Sequence, residues 1–178
     1  MRTWKTLVAG IIVVLGVSGL IFAAATATQT VTMQVAAVCA LSTTGNPAAL
    51  VVADPALGGD TPANPTSNTT YAQYTSTVAA GTTRRLQANW GGTDAAPAGC
   101  SLRLTATPAA LPNQGASAGQ ITISSTPTNI VTGIGSCATG TGPANGAQLS
   151  YVLSVDNIAA LVAGDDHTVT ITLTLTDN

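Results

Sequence analysis

The chain opens with two patterns that contrast. Residues 7–22 are apolar and broken only by small residues, with Arg2 and Lys5 just before them. From residue 30 the pattern changes to strict alternation. Val31, Met33 and Val35 take one side, and Thr30, Thr32 and Gln34 the other. A period of two predicts a half-buried strand over 30–38. The same reading places strands at 48–53, 71–78, 83–90, 101–107, 120–124, 129–134, 148–155 and 168–176. In 83–90, Arg84, Leu86, Ala88 and Trp90 share a side. In 101–107, Leu102, Leu104 and Ala106 do, and in 148–155 it is Leu149, Tyr151 and Leu153 or the opposite set. The last segment is the most regular, with Val169, Ile171, Leu173 and Leu175 inward and threonines outward.

Between these segments lie clusters of Gly, Pro, Asn and Thr, which set turns and loops. The longest, 58–70, is expected to be the most mobile, and 108–119 and 139–146 read as a loop and a Gly-rich turn. Residues 157–162 have the strongest helical tendency and predict a single turn. Short strands at this spacing predict an all-β fold, an immunoglobulin-like two-sheet β-sandwich of about 7–9 strands; a barrel is the alternative. There is no convincing internal repeat.

The N-terminal pattern bears on compartment. A positive start, an apolar stretch and then Ala25-Thr26-Ala27 form the layout of a secretory signal cut after Ala27. The expected organisation is a signal peptide over 1–27 and one β-sandwich domain over 28–178. The competing reading is a retained anchor, since 6–27 could cross a bilayer of roughly 30 Å. Cleavage would leave about 150 residues, enough for one domain with a real core. The membrane then matters only during export, and the mature protein is secreted or held at the cell surface.

Composition narrows the function. After residue 27 the basic residues are Arg84, Arg85 and Arg103, against seven acidic residues that are all Asp. Such a chain cannot build the basic face that nucleic acid requires. Threonine dominates the polar positions and suits pleated sheet, while the absence of Lys and Glu disfavours amphipathic helices. The three cysteines are Cys39, Cys100 and Cys137. An oxidising compartment permits one disulfide with one thiol left over. Cys100–Cys137 is favoured because both sit in Gly-rich loop contexts, and Cys39–Cys100 is the rival.

Candidate chemistry is sparse. His167, the only histidine, adjoins Asp165 and Asp166, but that context reads as a surface turn entering the last strand. No serine stands in a nucleophile elbow, and the cysteines lack zinc-ligand spacing. Asp156, Asp165 and Asp166 could offer oxygen ligands to calcium, yet no D-x-D-x-D array or Glu accompanies them. Tyr71 and Trp90 could form part of a carbohydrate-binding face, although Trp90 and Tyr151 read first as core anchors. Asn68-Thr69-Thr70 matches a glycosylation sequon. The expectation is a non-enzymatic protein with no catalytic residue, no metal and no cofactor.

The two ends carry a resemblance. Residues 30–41, TVTMQVAAVCAL, resemble the N-terminal strand and cysteine of fimbrial subunits and spore-coat-U-type domains. Gly164 followed by VTITLTL at 169–175 is similar to the closing strand of chaperone–usher pilins. Asp177 departs from that pattern, since those pilins usually carry a penultimate aromatic residue. The middle, with AGCSL at 98–102 and IGSC at 134–137, looks like bacterial surface proteins with immunoglobulin-like sandwiches. The resemblance implies a structural or adhesive role and carries nothing about catalysis. The expected function is a structural subunit of a surface fibre that self-assembles with identical copies. In that reading 28–38 is donated as a strand, with Val31, Met33 and Val35 entering a neighbour. A monomeric secreted adhesion or carbohydrate-binding module is the alternative.

Overall fold

The computed structural model describes residues 26–91, 95–164 and 166–178. Nearly all of the expected signal segment therefore lies outside the described residues, as do Asp94 and Asp165. The chain divides into a unit ending at Gln34 and a sandwich unit, Val35–Asn178.

The sandwich is all-β and contains two antiparallel sheets. The first is built from β1 (Val38–Thr43), β2 (Thr66–Thr77), β9 (Ala147–Val155), β4 (Cys100–Thr107) and β6 (Gln120–Thr122), in that order, with β8 (Cys137–Ala138) also paired to β2. The second runs β10 (Ile171–Asp177), β3 (Arg84–Trp90), β7 (Thr128–Ile134), β5 (Gln114–Ser117). From β2 to β8 the chain changes sheet at every step, and the links from β5 to β6 and from β7 to β8 do so in two residues each. A 3-10 turn, Ile158–Ala160, caps the path from β9 to β10, with Asn157 accepting from the Ala159 N–H at 3.1 Å.

Alternation explains the layers. In β4, Leu102, Leu104 and Ala106 are buried while Ser101, Arg103 and Thr105 face outward. In the neighbouring β9, Leu149, Tyr151 and Leu153 extend the same layer, and Leu86, Ala88, Ile130, Val131 and Ile134 of the other sheet face it. Tyr74 spans the sheets, its hydroxyl donating to the Gln114 carbonyl at 2.5 Å. Gly146 is required where β9 begins: φ is +104°, and a Cβ there would lie 2.2 Å from the Ala72 carbonyl oxygen.

Several expectations are corrected. The alternating segment 30–38 is not a strand; residues 26–37 join no ladder, and pairing starts at Val38. Residues 48–53 form no strand. The loop expected over 58–70 already belongs to β2 from Thr66, with a bulge between Ser67 and Thr70. The short β5 lies within the stretch read as the 108–119 loop, and with β8 it brings the strands to ten among the described residues, beyond the expected 7–9.

The strand order has a known parallel. A constant-type immunoglobulin sandwich pairs A-B-E-D in one sheet and C-F-G in the other. Here β1, β2, β9 and β4 stand as A, B, E and D, and β3 and β10 as C and F. The second sheet extends on the far side of β3 through β7 and β5. Beyond β10, where G would pair, no described strand is hydrogen-bonded.

Candidate functional site

The edge strands β1 and β10 face each other across the opening between the sheets, and they behave differently at their two ends. At one pole they meet. Arg84, buried at 7 % exposure, donates from Nε to Asp177 Oδ1 at 2.8 Å. Its Nη1 donates to Ser76 Oγ at 3.3 Å and to the Val38 carbonyl oxygen. One guanidinium thus ties β1, β2 and β10 to β3. The Cys39 thiol donates to the Leu175 carbonyl at 3.5 Å, and the Asn178 N–H to that of Thr83 at 3.2 Å. Asp177, where the resembled pilins carry an aromatic residue, is thus the carboxylate partner of Arg84.

At the other pole the strands part. After Thr43 the chain swings away through 44–51, and a groove of about 680 Å³ opens between this segment and the start of β10. Its floor is Leu102, Leu149, Tyr151 and Leu153, and Leu50 stands opposite Val169, Ile171 and Leu173. Val169 and the β10 residues Ile171 and Leu173 pack against the core but are only half-buried, and no described strand pairs with β10 on that side. Burial pushes the Tyr151 hydroxyl up to about 12. Thr70, in register with Leu149, also lines the groove. It is 3 % exposed, and its hydroxyl oxygen is buried without a hydrogen-bond partner.

The N-terminal segment leaves the sandwich at the closed pole. The Val38 N–H donates to Thr77 Oγ1 at 2.6 Å, and that hydroxyl donates to the Ala36 carbonyl at 2.8 Å. Before it, the residues expected to contact a neighbour are all exposed, with Val31 at 67 %, Met33 at 87 % and Val35 at 87 %.

The expected Cys100–Cys137 disulfide is overturned. All three cysteines are free thiols. Cys100 starts β4 opposite Val155, whereas Cys137 pairs with Ser76 near the closed pole. Eight residues of β9 and four of β2 separate their levels, roughly 40 Å at about 3.3 Å per residue, against a bridging limit of about 7 Å between Cα atoms. Cys39 also pairs with Ser76, from the opposite side of β2, so the rival Cys39–Cys100 bond fails for the same reason. Glycine neighbours report turns; they do not report which turns meet.

The remaining candidates do not gather. His167 sits at the rim of the groove, its Nδ1 3.0 Å from the Ala95 carbonyl oxygen. Asp156 is engaged by Arg103 Nη2 and Ser154 Oγ, each at 3.0 Å. Hydrogen bonds from Ser101 and Ser154, then the charge of Arg103, hold its carboxyl below the usual range. Among the described residues no group of three or more His, Cys, Asp or Glu could hold a metal. Tyr71 is on the outer face of β2, while Trp90 packs against the core from the other sheet, so they share no face. Asn68 lies exposed in the β2 bulge. Sequence reasoning missed the groove and Thr70. The signal that could have found the groove was an apolar stretch, 48–53, that lacks alternation. Comparison with protein-family models, with curated proteins and with solved structures finds no match.

Proposed function

We propose that this chain is a structural subunit of an extracellular filament and that residues 28–37 of one copy fill the groove of the next. One observation carries this reading: an apolar groove beside an edge of β10 that no described strand pairs, in a chain whose own alternating residues 30–35 join no ladder. An edge strand offers a row of N–H and C=O groups to another chain, and an extended segment with one apolar side is the complementary shape. Val31, Met33 and Val35 would each contribute about 1.5–3 kcal/mol on full burial.

The polarity of the subunit favours a fibre. The segment leaves at the closed pole and the groove opens at the other, so each copy offers a tail at one end and a socket at the other. Such a contact is heterologous and extends without closing when its rotation does not return to the start. A nearly uncharged, Thr-rich surface gives little repulsion between stacked copies. Export by the N-terminal signal, identical subunits as partners and a non-enzymatic role complete the proposal.

The test is deletion of residues 28–36 from the mature protein, followed by electron microscopy and a melting curve. Filaments from the parent and a folded, monomeric deletion variant support donation. A variant that unfolds as a dilute monomer would mean that the segment belongs to its own sandwich.

A further inference from the structure

Apart from the Tyr151 phenol the groove's floor is apolar, and the buried Thr70 hydroxyl beside it points to a partner atom. The Thr70 hydroxyl is buried and unpartnered at the groove's inner end. An orphaned buried hydroxyl costs about 1–3 kcal/mol, so an occupant that supplies a hydrogen bond there is favoured over one that does not. We propose that Gln29 of a second copy is this occupant, its side-chain amide meeting the Thr70 hydroxyl and fixing the register of the donated strand. The inference rests on the filament reading above and adds a specificity-determining pair to it.

Direction and spacing select Gln29. A donated segment is tethered to its own sandwich at Val38 and enters from the open pole, so its free N-terminal end travels deepest. It then runs antiparallel to β10, whose Ile171 lies at the open pole and Asp177 at the closed one. The inward series at every second residue is Gln29, Val31, Met33 and Val35, and Gln29 is its one polar member. Successive members are about 6.6 Å apart, the same step that separates Leu149, Tyr151 and Leu153 on the floor. With Gln29 level with Thr70 and Leu149, Val31 stands against Tyr151 and Met33 against Leu153. A slip of two residues would put Val31 on the orphan hydroxyl. A slip of one would turn the Thr30 and Thr32 side into the apolar groove. A Gln amide offers both donor and acceptor, so it satisfies the hydroxyl in either role. A single polar contact in an apolar seam is an established way to fix register.

The experiment is a double-mutant cycle in the full-length exported protein, with Gln29→Leu, Thr70→Val and the pair. The reading is the rate at which subunits leave preformed filaments in denaturant. Each single substitution leaves one polar group unpaired and should speed release about tenfold. The double variant pairs apolar with apolar and should release no faster than either single variant. Melting of the monomers controls for folding, and Gln29→Leu changes a residue outside every ladder, so its effect cannot come from the sandwich. Unchanged release from the Gln29→Leu filaments, or single effects that multiply in the double variant, would overturn the pair while leaving strand donation standing. Failure of the parent to form filaments would overturn the filament reading, and the pair with it.

Discussion

The two ends of the opening between the sheets use the same pair of edge strands and reach opposite results. At the closed pole a buried guanidinium reaches Asp177, Ser76 and the Val38 carbonyl, so β1 and β10 are held together. At the open pole the residues of β10 that face inward stay half-buried beside the groove, and the chain after Thr43 bends away from them. The polar end is self-sufficient, because every group that Arg84 binds belongs to the same chain. The apolar end is left wanting, because its half-buried leucines and its orphan hydroxyl gain nothing until something enters. Location, more than composition, separates a core leucine such as Leu104 from a groove leucine such as Leu173.

That contrast can be broken by truncating one leucine in each place. Leu104→Ala, at a fully buried site, should cost about 4 kcal/mol of folding stability through lost transfer energy and an unfilled cavity. Leu173→Ala should cost the monomer only about 1 kcal/mol, since the site is already half open, while accelerating subunit release from filaments. Equal losses in monomer melting would remove the distinction between core and groove.

The closed pole gives the next largest effect. Arg84→Ala removes hydrogen bonds to three strands and should destabilise the monomer by about 3 kcal/mol in chemical denaturation. Asp177→Asn keeps an Oδ1 acceptor for the Arg84 Nε–H at an exposed position, so it should be much milder. If the two variants melted alike, the carboxylate pair rather than the strand ties would hold that pole.

A smaller effect comes from alkali. The Tyr151 hydroxyl is raised by burial from 10 to about 12 in the folded chain. The folded state therefore holds its phenolic proton more tightly than the unfolded state does. Its contribution is fully present below pH 10 and is lost as pH rises from about 10 to 12, a change of roughly 2–3 kcal/mol. Tyr74 is raised in the same direction by the same cause, then by the nearby Cys137. Denaturation series from pH 9 to 12 should show this fall, and Tyr151→Phe should flatten part of it. A fall of unchanged slope in the variant would place the titration elsewhere.

The same contrast marks what was legible in the sequence. Where both faces of a strand find partners inside the domain, alternation reports the outcome: Leu102, Leu104 and Ala106 in β4 and Leu86 and Ala88 in β3 are buried as the period requires. Alternation from Thr30 to Val35 is just as regular, yet residues 26–37 join no ladder, because periodicity encodes a tendency to pair and not the location of a partner. The last segment shows both cases within one strand. Its pattern begins at Thr168, but the ladder to β3 starts only at Ile171. The groove depends on 43–51 meeting 166–173, segments more than a hundred residues apart, and no local pattern announces that meeting. The disulfide expectation failed likewise, since β-register sets how far apart Cys100 and Cys137 lie.

In the proposed filament the outer edge of β10 and the groove beside it receive the N-terminal segment of another copy. Amide hydrogen exchange, compared residue by residue between dilute monomer and assembled filament, tests it most directly. Assembly should protect the amides of 29–35 and those of β10 that point away from β3, together and to a similar degree. Filaments in which both sets exchange as fast as in the monomer, with new protection on the outer faces of the sheets instead, would contradict it.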